Sequence, residues 1–380
     1  MKVETFTAGK WQQRFEYKSF EPVPINVQWQ WEDARINAQL ERATLALGEL
    51  NAFSLIVPDV DQFIRMHIVK EAQASSRIEG TQTQLDEALM PEDQIAPEKR
   101  DDWVEVQNYV QALNEAVTAL RDLPLSNRLL KNTHYTLMQG VRGREKRPGE
   151  FRISQNWIGG SSLSDAVFIP PHQDGVPELM GDLESFWHNR EITVPHLIRV
   201  AISHYQFETI HPFLDGNGRI GRPLIPLYLI SHGLLAKPSL YISDFFERNR
   251  ASYYDALMAV RVQNDMRHWL LFFLSGIEKT ANFARGVFRE ILLLRDEIQA
   301  TTLKMGRRAE LANKLLHILY ANPVQTAQSI ETELNVVSAT ANALIRQFVE
   351  NGILIEVTGQ RRGRVYSFDR YFRVFLQEPK

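Results

Sequence analysis

Six apolar residues, Trp103, Val106, Val110, Leu113, Val117 and Leu120, recur at alternating steps of three and four. That spacing puts them on one stripe of an α-helix and on no single face of a strand. The same period returns in Ile36, Leu40, Ala43 and Leu47 after Asp33, and in Phe63, Met66 and Val69 after Asp59. It returns again in Leu197, Ile198, Ala201, Ile202 and Tyr205 after Pro195. A chain patterned this way folds mainly as packed helices. Ser126 reads as the N-cap of a further helix ending near Gly140, Gly48 as a weak point near the end of the first, and Gly80 as the stop of the second.

With 380 residues, 44% of them hydrophobic and 10% aromatic, the chain can fill the cores of two or three domains. Its 43 Lys and Arg against 46 Asp and Glu leave a formal charge of −3. That balance excludes a general nucleic-acid coat and a polybasic membrane binder, while a local basic patch stays open. Without cysteine there is no thiol nucleophile, disulfide, iron–sulfur cluster or cysteine-bound zinc. The opening residues carry no apolar signal core, and Trp269–Leu274 falls far short of the roughly 20 apolar residues of a membrane helix. A soluble, cytoplasmic protein without membrane contact is the expectation.

Two regions depart from the helical pattern. The opening, to about Val57, begins irregularly and rich in aromatics. Between Gly140 and Pro177, glycines, prolines and basic residues lead into Trp157–Pro171, a short strand-and-turn region. Farther on, the amphipathic run from Gly276 to about Met305 reads as a connector. The tail then shows two helix patterns joined through Asn322-Pro323, and a helix capped by Ser338 with Ala341, Leu344, Ile345 and Phe348 on one face. Ile353–Val357, a turn holding Arg361 and Arg362, and Arg364–Phe368 complete it. Helices followed by a hairpin read as a winged helix-turn-helix.

The chemistry is concentrated in His211-Pro212-Phe213-Leu214-Asp215-Gly216-Asn217-Gly218-Arg219-Ile220-Gly221-Arg222, between two helical patterns. Gly216 and Gly218 let the backbone turn sharply and present N–H groups with no Cβ in the way. The helix that follows points its positive end at the same spot, which makes an anion nest. Arg219 and Arg222 share one helical face, where two guanidiniums can grip neighbouring phosphates. Asp215 can hold a magnesium ion that also binds phosphate oxygens. His211 can take a proton near neutral pH. Together these suit attack of a hydroxyl on phosphorus.

This segment resembles the signature of the Fic family, His-Pro-Phe-x-Asp/Glu-Gly-Asn-Gly-Arg-x-x-Arg, with every fixed position filled. The resemblance implies a mainly α fold: a helical Fic core with a short β-hairpin flap, followed by the winged helix-turn-helix domain. It implies transfer of AMP from ATP to a Ser, Thr or Tyr hydroxyl of a target protein, with Mg²⁺ as cofactor. By that likeness His211 is the base, Asp215 holds Mg²⁺, Gly216, Asn217, Gly218 and Arg219 form the anion hole, and Arg222 grips the γ-phosphate. Ser75-x-x-x-Glu79-Gly80 resembles the family's inhibitory motif, with Glu79 pairing to Arg222 in place of phosphate. Phe168, Ile169 and Pro170 fall in what looks like the target-docking flap, where an exposed hairpin edge pairs with the target. Of Tyr253 and Tyr254, the second is chosen to flank the adenine.

The layout then reads as an N-terminal extension packing on the core (1–58) and a catalytic domain (59–275), with an inhibitory helix (about 60–80), flap (about 150–172) and catalytic loop (211–222). A connecting helix (276–307) and the winged helix-turn-helix domain (308–380) follow. Self-modification and a homodimer are further expectations of the likeness. Two other functions stay open: removal of AMP through the same site, and a DNA-binding regulator using the site as an ATP sensor. For DNA contact, the helix from Ser338 offers only Arg346, beside Glu350, while the turn offers Arg361, Arg362 and Arg364.

Overall fold

The computed structural model describes residues 1–57, 59–140, 144–360 and 363–377. The opening forms an antiparallel hairpin, β1 (Gly9–Gln13) and β2 (Lys18–Pro22), with Trp11 opposite Phe20. Helices follow: α1 (Ala34–Ile56), α2 (Val60–Ile78), α3 (Leu85–Leu89), α4 (Arg100–Ala119), α5 (Asn127–Leu137) and α6 (Val176–His188). Then come α7 (His196–Ile210), α8 (Asn217–Ser231), α9 (Ser243–Arg248), α10 (Arg250–Gln263) and α11 (Met266–Leu303). The tail adds α12 (Ala309–Ala321), β3 (Val324–Thr326), α13 (Ala327–Leu334), α14 (Ser338–Glu350), β4 (Ile355–Glu356), β5 (Val365–Ser367) and α15 (Asp369–Leu376). The chain is mainly helical with small antiparallel sheets, the tail's strands lying in the order β3-β5-β4. No helix among the described residues is long and apolar enough to cross a membrane.

Local chemistry sets most helix ends. The Asp33 carboxylate accepts the Arg35 N–H at the start of α1, and the Ser126 hydroxyl accepts the Leu129 N–H at the start of α5. Beyond α2, Gly80 takes φ +104°, a conformation that favours glycine and stops the helix. Gly48, in contrast, does not weaken α1 enough to end it. The helix runs on to Ile56 because its apolar face, with Leu47 and Leu50 buried, packs along α11. In α4 the buried stripe is Val106, Tyr109, Leu113 and Ala116, while Val110 and Val117 ride at its edge.

Three expectations change here. The irregular opening contains a hairpin, held where the rings of Trp11, Phe20 and Phe168 meet at 5.2–5.9 Å between centroids. The flap is not a full β-hairpin: among the described residues it holds a single antiparallel bridge, Ile158 to Phe168. Gly159 and Gly160, both at positive φ, turn the chain out of extended geometry there. The connecting helix starts at Met266 rather than Gly276, and its first turns are core, with Trp269, Leu270, Phe273 and Leu274 fully buried.

The tail therefore shares one continuous helix with the core, and it also rests on α2. Phe63 of α2 meets Tyr320 and Tyr371 at 5.3 and 6.3 Å, His67 meets Phe375 at 5.1 Å, and Lys70 donates to the Phe375 carbonyl at 2.8 Å. Arg361 and Arg362, expected in the tail's turn, lie outside the described residues.

Candidate active site

α7, buried from Leu197 to Ile210, delivers the chain to His211. His211 takes φ +51°, ends the helix and turns the chain toward α8, its N–H still bonded to the Phe207 carbonyl. Burial, then the nearby Arg261 and Arg152, push its pKa down to about 3, so the imidazole is neutral at physiological pH. Its Nδ1 is buried with no hydrogen-bond partner among the described residues.

The loop behind it is stapled from both sides. Asn217 closes it from within: its side-chain oxygen accepts the Phe213 N–H and its amide donates to the Phe213 carbonyl, both at 2.8 Å. The Asn217 side chain thus shapes the loop. From outside, buried Arg152 donates to the His211 carbonyl at 3.0 Å and Asn156 to the Phe213 carbonyl at 2.8 Å. His134 accepts the Gly149 N–H at Nδ1, which leaves Nε2 to donate to the Asp215 carbonyl at 3.0 Å. Its ring stacks on Phe213 at 3.8 Å, and burial lowers its pKa to about 4. Gly216 opens α8 at φ +74°, where a Cβ would lie 2.9 Å from the Met138 sulfur.

Each arginine of α8 already holds a carboxylate. Arg222, 1% exposed, donates to Glu79 Oε1 at 2.7 Å, to the Ser75 hydroxyl at 2.7 Å and to the Ser75 carbonyl at 3.0 Å. Ser75 lies in the last turn of α2 and Glu79 caps its C-terminus, so the end of that helix presents both. A Cβ on Gly218 would collide with Glu79 Oε1, so the carboxylate lies directly over the nest. Arg219 donates to Glu105 of α4 at 3.0 Å and lies 3.6 Å from Asp215. Glu105 also accepts the Thr81 hydroxyl at 3.5 Å, tying α4 to the turn just past Glu79-Gly80. Glu79, Gly80, Glu105, Met138, Asp215 and Arg219 contribute to the lining of a cavity of about 330 Å³.

The remaining expected residues divide. Tyr254 is partly exposed and close enough to Glu79 and Arg222 to feel their charges, whereas Tyr253 is buried with its hydroxyl 2.9 Å from His204 Nε2. Phe168, Ile169 and Pro170 do not form an exposed edge. Phe168 lies beneath Arg261, whose guanidinium is 4.1 Å from its ring centroid, and the Ile169 carbonyl accepts the Phe20 N–H of β2 at 2.9 Å. All three are buried, while Ile153, Trp157 and Val167 in the same region are exposed.

Sequence reasoning misses Glu105, His134 and Asn156, and it leaves Arg152 unread as a staple of the loop from His211 to Arg222. It also misses Glu208, one turn before His211, whose pKa burial raises to about 7 and whose Oε1 has no hydrogen-bond partner among the described residues. A Cβ on Gly221 would strike that carboxylate, a close approach that the glycine in Arg219-Ile220-Gly221-Arg222 permits.

Known proteins similar to this chain fall in one family. Residues 37–118 match the family described as Fic/DOC family N-terminal, and residues 124–229 match the Fic/DOC family. The protein adenylyltransferase Fic of Aedes aegypti is 32% identical over 133 residues, 35% of this chain and 24% of that protein. A probable protein adenylyltransferase of Aquifex aeolicus is 28% identical over 198 residues, 52% of this chain and 56% of that protein. The chain thus spans about a quarter of the length of the first relative and just over half of the second. In fold it is similar to a Fic family protein from Desulfovibrio desulfuricans G20, with a TM-score of 0.55 at 20% identity over 91% of this chain and 98% of that one. A Fic-domain-containing signaling protein from Bacteroides thetaiotaomicron VPI-5482 gives 0.52 at 18% identity, covering 67% of this chain and 97% of that one. These matches support membership of the Fic/DOC family.

Proposed function

We propose that this chain is an autoinhibited protein adenylyltransferase, moving AMP from ATP to a hydroxyl of a target protein. The observation that carries the reading is Glu79 on Arg222, directly over Gly218. A carboxylate of the same chain occupies the nest that a triphosphate needs, six residues of turn away from a neutral histidine.

In the reaction, the target hydroxyl oxygen bonds to the α-phosphorus, the bond from that phosphorus to the bridging oxygen of pyrophosphate breaks, and His211 accepts the hydroxyl proton. A histidine kept neutral is ready to act as a base, and the negative charge of bound triphosphate raises its affinity for the proton. The backbone N–H groups at the start of α8 receive phosphate oxygens, and Arg219 and Arg222 hold them once Glu105 and Glu79 are displaced. Tyr254 flanks the base of the nucleotide.

Mg²⁺ fits this donor set. The Asp215 carboxylate borders the cavity with a half-exposed side chain, and one or two carboxylates plus phosphate oxygens are enough to bind the ion. When bound, the ion neutralises phosphate charge.

We read Glu105 as a second clasp, since it competes with phosphate for Arg219 while holding Thr81. We assign target docking to the exposed Ile153, Trp157 and Val167, and we read the tail as a winged helix that braces α2 against the core. A positioned general base typically contributes ~10²–10⁴ in rate. Label from α-labelled ATP should therefore reach protein, including the enzyme itself, in Glu79→Gly and fall by that factor in Glu79→Gly/His211→Ala. Equal labelling of the two would remove His211 from the reaction.

A further inference from the structure

One to two turns before Ser75 on α2, His67, Lys70 and Glu71 open onto a cavity of about 540 Å³ whose other walls are α9, α11 and the segment leading into α9. This volume falls within the roughly 300–1,000 Å³ of pockets that enclose small molecules. Two of its lining side chains carry buried polar atoms with no hydrogen-bond partner among the described residues, His67 Nε2 and the Tyr241 hydroxyl. Buried polar groups are normally satisfied, so two orphans in one cavity point to a ligand that supplies their partners.

The cavity wall holds three cations, Lys70, Arg248 and Lys279, and three carboxylates, Glu71, Asp244 and Glu278, and the pairing among them decides what a ligand meets. Glu71 is held by the N–H and hydroxyl of Ser243 and by the Tyr109 hydroxyl. Asp244 pairs with Arg248 at 3.1 Å and with Lys70 at 3.8 Å, and Glu278 takes Gln39 and Arg42. Lys279 has no carboxylate within reach among the described residues; its ammonium sits 5.8 Å from the Phe245 ring centroid. Phe283, the second ring of the wall, carries the Lys70 ammonium at 4.9 Å.

We propose that this cavity binds a small organic anion built on a planar ring. Its carboxylate pairs with Lys279, its ring lies against Phe245 and Phe283, and its polar edge satisfies Tyr241 and His67. His67, Glu71 and Ser75 recur every four positions on α2, and Glu79 is the residue that caps its C-terminus, so this one helix joins the cavity wall to the contacts on Arg222. Occupancy therefore bears on Glu79, a consequence that rests on reading Glu79 as the brake; the binding does not rest on it.

Calorimetry on the full chain with indole-3-carboxylate as the probe tests the site. The expected result is saturable one-to-one binding in the low millimolar range or tighter. It should weaken at least tenfold in Lys279→Glu, an exposed position whose folding is checked by circular dichroism, and persist in His211→Ala with saturating ATP. Absence of saturable heat, equal affinity in Lys279→Glu, or displacement of the probe by ATP would overturn the site. Because no transfer is measured, a chain that binds the probe yet labels nothing fails the enzyme reading alone. A chain that labels protein yet ignores the probe fails only this one.

Discussion

Removing Glu79 tests the brake quantitatively. Glu79→Gly deletes one charge-assisted hydrogen bond, Arg222 Nη2 to Glu79 Oε1 at 2.7 Å, and leaves both Ser75 contacts on the same guanidinium. Such bonds contribute about 1.5–3 kcal/mol. Arg222 is 1% exposed, but the Glu79 side chain is 38% exposed, so solvent screening brings the figure to about 1–2 kcal/mol. If that bond is what triphosphate must displace, its loss raises productive binding roughly 5- to 30-fold. The assay is initial-rate labelling from α-labelled ATP at subsaturating nucleotide, beside calorimetric ATP affinity for both proteins. A gain in that range, with part of it in ATP affinity, is the expected result. An unchanged rate with ATP binding intact would refute the competition argument, because the carboxylate would then occupy nothing the nucleotide uses.

Glu105→Gln should raise transfer roughly 5-fold, the equivalent of about 1 kcal/mol, through the freed Arg219 and the loosened Thr81 turn; a lower kcat in the same labelling assay would instead make Glu105 an orienting group. His211 has its pKa depressed, so its neutral form persists as the pH falls. The kcat/KM of the free enzyme, measured from about pH 8 to about pH 5, should show no loss from this base near its ordinary value of ~6.5. A clear inflection there would mean that His211 is solvated. Ile169→Asp should lower thermal stability by burying an unpaired charge beside β2, whereas Val167→Asp should leave the melting temperature unchanged and reduce target labelling more than ATP affinity. The reverse pattern would return docking to the Phe168–Pro170 strip.

The residues legible from sequence are those whose roles are local. His211 to Arg222 is contiguous, so its turn, its nest and its two arginines follow from residue type and helical spacing. Asp33, Ser126 and Gly80 act within a turn of their own position, and the structure uses them as caps and a stop. Residues brought in from other elements are not legible this way. Glu105 is far from Arg219 in sequence and meets it only because α4 packs beside α8. Arg152, Asn156 and His134 staple the loop through its backbone carbonyls, and no side-chain pattern advertises a carbonyl. Phe168 and Ile169 carry the residue types of a strand edge, yet the hairpin β1–β2 covers them, and nothing local announces that cover. The Ser75, Glu79 and Arg222 set lies between these cases: the motif names the residues, and only the packing of α2 on α8 brings them to 2.7 Å.

The central claim is that the α-phosphoryl end of ATP moves, with its adenosine, to a protein hydroxyl. The direct measurement gives the Glu79→Gly chain Mg²⁺ with ATP labelled at either the α- or the γ-phosphate, and reads label retained on protein. Label from the α position and none from the γ position is the predicted result. Label from the γ position, or from neither while ATP binds, would contradict the account.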